Sequence, residues 1–253
     1  QFEVDNGLEV VDAEVPTNYE IGARTEWADG RLFIDVTAFL TEFEDYQLSV
    51  FDPDTNSSGL RNAANLETKG IEANFSALVT DNLTLNGAIT LMDATYDSFP
   101  NGPCYPGQGV AGGCDDNDNS GTQNTPDTQD LAGAPLENAP DLSYSFSANY
   151  TRPITATGWE FFANGTLLYQ DDVQYNVNQD PGAADDSYTR VNAALGFTSP
   201  DDRWKVSLFA KNLFDEEYAL RVLSAGSDDL GGSNQFLPYD YARVLGLRLD
   251  LSL

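Results

Sequence analysis

The sequence predicts an all-β fold, an antiparallel up-and-down transmembrane β-barrel present in part. Three observations predict it. Apolar and polar residues alternate with period two in runs of about ten residues. The connections between runs alternate between short and long. No apolar run approaches the ~18 residues a membrane helix needs, and a barrel needs none because its strands alternate between lipid and lumen.

About nine strands are expected, near 17–28, 31–47, 65–79, 83–97, 141–152, 158–171, 187–198, 203–214 and 240–252. Leu32, Ile34, Val36, Ala38 and Leu40 alternate with Phe33, Asp35, Thr37, Phe39 and Thr41. Leu83, Leu85, Gly87, Ile89 and Leu91 form the next clear stripe, then Leu142, Tyr144, Phe146, Ala148 and Tyr150 against serines and Asn149. Val191 to Phe197, Trp204 to Ala210 and Leu245 to Leu253 repeat the pattern. Helical spacing fits none of them. Asp29-Gly30, Thr80-Asp81-Asn82, Pro153 to Thr157 and Ser199 to Asp202 are short turns, Asp-Gly being a strong hairpin signal. The segments near 48–64, 98–140, 172–186 and 215–239 are long and rich in Gly, Asn, Asp and Pro. Short periplasmic turns and long extracellular loops are the outer-membrane arrangement. Tyr19, Trp27, Tyr46, Tyr96, Tyr144, Trp159, Tyr169, Tyr188, Trp204 and Tyr241 fall near strand ends, where interfacial girdles sit.

Charge and composition exclude several classes. With 12 Lys+Arg against 41 Asp+Glu, the net charge is −29, and no basic patch suits nucleic acid. The acids concentrate in the expected loops, as at Asp171, Asp172, Asp185 and Asp186. There is no His, which removes Ser-His-Asp and Cys-His catalysis and His-ligated zinc. Paired acids such as Glu42 with Glu44, or Asp215 with Glu216 and Glu217, lack a matching partner for glycosidase chemistry, so no enzyme is expected. Cys104 and Cys114 flank a Gly- and Pro-rich stretch and read as a loop-stapling disulfide of an oxidising compartment. The chain begins at Gln1 without a signal-peptide pattern, so residues 1–253 are expected to be a fragment of an exported protein.

One local pattern points to a metal. Asp116, Asp118, Ser120, Gly121 and Asp127 occupy positions one, three, five, six and twelve of a calcium loop, with Thr122 at the backbone-carbonyl position. Position twelve is Asp instead of the longer Glu, no helices flank the loop, and a plain solvated loop is the bland reading. No other cofactor is called for. The polar candidates for the lumen wall are Asn86, Thr90, Asn149, Glu160, Asn164, Gln170, Arg190, Asn192, Lys205, Lys211 and Arg248.

Several strings resemble those of TonB-dependent receptors. They are Pro16-Thr17-Asn18-Tyr19-Glu20-Ile21-Gly22, Asn65-Leu66-Glu67-Thr68-Lys69-Gly70-Ile71-Glu72, and Leu131 to Pro140 leading out of a long loop. The most specific is Asn212-Leu213-Phe214-Asp215-Glu216-Glu217-Tyr218, similar to the family's pre-terminal motif. Leu253 departs from the family by standing where such barrels usually end in an aromatic. The resemblance implies the C-terminal portion of a barrel of about 22 strands, with the plug domain and N-terminal strands lying outside this chain. It implies TonB-energised uptake of a scarce large nutrient of the iron-siderophore, cobalamin or carbohydrate class. The implied partners are outer-membrane lipid and lipopolysaccharide, the imported ligand, and the inner-membrane TonB complex through the absent N-terminal part. A passive porin or channel and a soluble carbohydrate-binding β-sandwich are the rival readings.

Overall fold

In the computed structural model, residues 11–52, 57–115, 128–224 and 233–252 are described. Nine strands form one antiparallel sheet in which each pairs with its neighbours in chain order. They are β1 (Val15–Trp27), β2 (Leu32–Asp52), β3 (Ser57–Thr80), β4 (Leu83–Ser98), β5 (Leu142–Ile154), β6 (Trp159–Gln170), β7 (Tyr188–Thr198), β8 (Trp204–Lys211) and β9 (Val244–Leu251). Strands β1 and β9 are its edges and do not pair with each other, so the sheet is an open wall. Among the described residues no second large sheet packs on it. That removes the β-sandwich reading, which needs two sheets face to face.

Register makes the wall amphipathic. Ile21 faces Ala38, Ala38 faces Ile71, Ile71 faces Leu91 and Leu91 faces Leu142. Phe146, Leu167 and Val191 continue the same face, as do Leu195, Leu208 and Leu247. Side chains alternate along each strand, so these rows assign every apolar stripe to one side of the sheet. Among the described residues nothing covers that side: Ile21 is 78% exposed and Leu247 70%. All three tryptophans stand on it at the short-turn end, Trp27 facing Leu32, Trp159 facing Ile154 and Trp204 facing Leu251. Near the loop end Tyr144 stacks on Tyr169 at 4.8 Å. One row further out the face turns ionic, with Lys69 bonded to Glu67 at 2.9 Å and to Asp93 at 3.3 Å. An apolar band with aromatic borders and a charged rim is the profile of a lipid-exposed surface.

Four glycines receive aromatic rings from the residues that face them. Phe39 leans over Gly70, Phe75 and Phe146 over Gly87, Phe162 over Gly196, and Phe209 over Gly246, each a directly opposed cross-strand pair. A Cβ would stand 2.9 Å from the Phe39 ring at Gly70, 2.2 Å from Phe75 at Gly87, 2.8 Å from Phe162 at Gly196 and 2.4 Å from Phe209 at Gly246. Only a residue without a side chain leaves room for a ring lying flat on the sheet.

The short connections match the expected turns. Ala28, Asp29 and Gly30 all take positive φ (55, 54 and 83°), which lets two long strands reverse within a few residues. The region expected as a loop near 48–64 is different. Strands β2 and β3 continue through it, pairing Gln47 with Asn62 and Asp52 with Ser57 after an irregularity at Tyr46. Asp45 has φ 57° there, and two compensating register shifts flank Tyr46, interrupting the ladder and hiding the extension from a period-two reading. The extension is held because Leu48, Ala64 and Leu66 pack on Tyr96, Phe99 and Leu131.

The long loops form a packed roof on the end of the wall. Gly102–Pro103 pairs with Thr128–Gln129, Val173–Gln174 with Ala184–Asp185, and Arg221–Ser224 with Ser233–Phe236. Among the described residues the largest fully buried side chains are Tyr96, Phe99, Val222 and Asn212, all at this end. Tyr96, expected at an interfacial girdle, is instead wholly enclosed, its hydroxyl donating to Glu137 at 2.6 Å. It belongs to the roof because β4 runs on past the apolar band.

Candidate functional site: the polar wall and its roof

The second face of the sheet carries every residue proposed above for the lumen wall. Asn86, Thr90 and Asn149 lie on β4 and β5, Glu160, Asn164 and Gln170 on β6, Arg190 and Asn192 on β7, and Lys205, Lys211 and Arg248 on β8 and β9. Polar ladders cross the strands: the Ser76 hydroxyl donates to Asn86 at 2.8 Å, Asn86 to Ser147 at 3.4 Å, and Asn192 to Thr166 at 3.3 Å. These bonds satisfy wall polar groups without removing them from water.

Charge on this face is divided. Strands β1 to β3 carry Glu20, Glu26, Asp35 and Glu72 against Arg24, which bonds Asp35 at 2.6 Å. Strands β7 to β9 carry Arg190, Lys205, Lys211 and Arg248 against Asp250. A groove of about 600 Å³ runs over the second region, lined by Asn164, Asn192, Lys205, Ser207, Phe209 and Arg248 among others. Its floor is the pair of rings resting on Gly196 and Gly246.

The roof joins loops that are remote in sequence. Gln129 is buried and donates to the carbonyls of Pro103 (2.8 Å) and Asn178 (3.0 Å), and it accepts from Gln108 (2.7 Å). The Tyr175 hydroxyl donates to the Ala219 carbonyl at 3.0 Å, and the Ala219 amide donates to Asp185 at 2.9 Å. Burial, with Asp185 and Tyr188 beside it, pushes the Tyr175 hydroxyl up to about 12. Asp141, at the foot of the roof, is raised by burial and then by Asp93, Asp171 and Asp172. Cys104 and Cys114 are joined by a disulfide within the first long loop. The calcium-loop candidates Asp116, Asp118, Ser120, Thr122 and Asp127 lie outside the described residues.

The structural weight of the Asn212 string was not legible in the sequence. Asn212 is 1% exposed; its amide donates to the carbonyls of Glu216 (2.8 Å) and Tyr241 (2.5 Å), and its oxygen accepts from the Glu216 amide (3.0 Å). Asp215 accepts from the Arg243 amide at 2.8 Å. Tyr218 stacks on Tyr188 at 4.6 Å and accepts a bond from Arg190. One short string thus ties the end of β8, the start of β9 and β7 together.

The family described as "TonB dependent receptor-like, beta-barrel" matches residues 4–213. Among solved structures, the siderophore receptor PiuA from Acinetobacter baumannii is similar at 16% identity and a TM-score of 0.66, over 97% of this chain and 29% of that one. The ferric yersiniabactin uptake receptor FyuA from Yersinia pestis is similar at 15% identity and 0.64, over 93% and 29%. The copper transporter OprC is similar at 14% and 0.61, over 98% and 33%. The chain therefore spans about a third or less of the length of these structures, and at such identities the likeness speaks for the fold.

Proposed function

The chain belongs to the TonB-dependent receptor β-barrel family, and from that premise we propose that it is the C-terminal wall of an outer-membrane importer. In this reading the apolar face meets lipid and lipopolysaccharide, the polar face lines the lumen, and the roof stands on the cell exterior. The remaining strands, a plug domain and the segment that contacts TonB belong to the part of the protein outside this chain. The observation that carries the reading is the register-locked division of nine strands into one apolar and one polar face. Such a sheet suits hydrocarbon on one side and water or protein on the other. The work is capture and passage, not bond-making; the cargo is a scarce nutrient of the iron-siderophore, cobalamin or carbohydrate class.

The test uses the complete receptor in its own outer membrane. Uptake of labelled ferric siderophores, cobalamin and an oligosaccharide is measured with and without the receptor, and with and without TonB. At least one probe is expected to accumulate only when both are present and the inner membrane is energised. Receptor-dependent entry that persists without TonB would make the protein a passive channel.

A further inference from the structure

The chain is strongly acidic as a whole, yet four of its 12 basic residues converge on the lumen face of β7 to β9. Register places three of them in the groove in a descending series. Lys211 is outermost, Arg248 sits level with Ser207, and Lys205 lies one row below. From Lys205 to Lys211 the series spans six residue steps of β8, roughly 20 Å at ~3.3 Å per step. Among the described residues Lys205 has no carboxylate within ion-pair distance; its ammonium rests 4.3 Å above the Phe162 ring. Lys211 reaches Asp240 only at 3.9 Å, between two exposed side chains. Arg248 is bonded to Asp250 through Nε, which leaves the other guanidinium nitrogens free of that bond.

We propose that this wall is an anion-holding track for a negatively charged small-molecule cargo, a step that rests on reading this face as the lumen. Three features favour a small molecule over a protein segment. The volume lies in the range of small-ligand sites, ~300–1,000 Å³. The floor is two flat rings, and amides from Asn164 and Asn192 stand beside the cations, a mixture suited to a compact polar body with charged arms. Further along the same face, the carboxylates of β1 to β3 repel the same cargo and leave β7 to β9 as the region on which it rests. The overall negative charge is therefore a poor guide to the cargo, because the acids and bases of the wall are segregated.

The purified full-length receptor decides it with two iron probes, the anionic ferric citrate chelate and a neutral ferric trihydroxamate of comparable size. The wild type is expected to bind the citrate chelate more tightly, with affinity falling as salt rises. Combined Lys205→Gln, Lys211→Gln and Arg248→Gln is expected to weaken citrate binding at least about tenfold and to leave the hydroxamate unchanged. Lys205→Arg with Lys211→Arg is expected to retain it. Heat-modifiable electrophoretic migration confirms that each variant is a folded barrel. Equal affinity of the wild type for both probes, or equal loss of both in the triple variant, overturns the proposal. Unchanged citrate binding, with faster proteolysis of the N-terminal portion, would instead make the track a docking face for protein. TonB-dependence of uptake is scored separately in the same strains, so a passive channel would refute the importer without touching the binding result.

Discussion

Ile21 and Leu247 in the wall expose 78% and 70% of their surface, whereas Tyr96, Phe99 and Val222 in the roof expose 1% or less. The two regions are built from similar residues under opposite rules. The wall has no interior of its own: it is held by continuous backbone ladders and by whatever solvates its two faces. The roof sets short loop ladders against the extended ends of β2 to β4 and has the deepest burial among the described residues, Tyr96 and Phe99 packing ring to ring at 5.2 Å. In the wall a residue matters through the face it occupies; in the roof it matters through the neighbours it touches.

Substitutions should therefore sort by region. The largest effect is expected from Tyr96→Ala, about 3–5 kcal/mol for emptying a buried aromatic site. The loss should be confined to the roof, seen as faster hydrogen exchange in the long loops while β5 to β8 stay protected. Equal loss in both regions would mean that they fold as one unit. Leu208→Arg places a charge in the apolar band and should cost about 2–4 kcal/mol, read by denaturant unfolding in lipid vesicles. An arginine tolerated there would argue that this face is not in hydrocarbon. Cys104→Ser opens a short loop and should cost about 2–3 kcal/mol, visible only as faster proteolytic nicking of the first long loop.

Alkaline titration separates the regions without mutation. Tyr175 has its folded value raised to about 12 from 10.0, so its contribution is intact below 10 and lost as pH rises through 12. The roof should loosen in that window, followed by phenolate absorbance and loop proteolysis, and Tyr175→Phe should remove that part of the pH dependence. The smallest effect is expected for Lys69→Gln, an exposed residue on the charged rim. Its removal should leave unfolding unchanged, since exposed ion pairs contribute little.

The same division explains what could be read in the sequence. The wall was legible because period two is imposed residue by residue, so Asn164, Lys205 and Arg248 could be assigned to one face before any strand was paired. The roof was not, because its contacts join segments with no common period. Nothing local to Gln129 announces Asn178, and nothing local to Tyr175 announces Ala219. Tyr96 belonged by spacing to a girdle and by packing to a core, and packing prevailed. The extensions of β2 and β3 were concealed by two compensating register shifts around Tyr46. Asn212 stood out as part of a string, while its role as the knot between three strands required the fold.

The glycines beneath the phenylalanine rings bear on how such a sheet finds its alignment. A slip of one residue between strands turns every apolar side chain to the wrong face and is rejected by hydrophobicity alone. A slip of two keeps both faces correct, so hydrophobicity cannot see it. The rings can: Phe162 would meet Ala194 or Thr198, Phe209 would meet Val244 or Arg248, and Phe39 would meet Thr68 or Glu72. Each of these has a Cβ where the ring must lie. The Gly–Phe pairs therefore work as a proofreading key, penalising at several seams the one misalignment that the amphipathic pattern would let through.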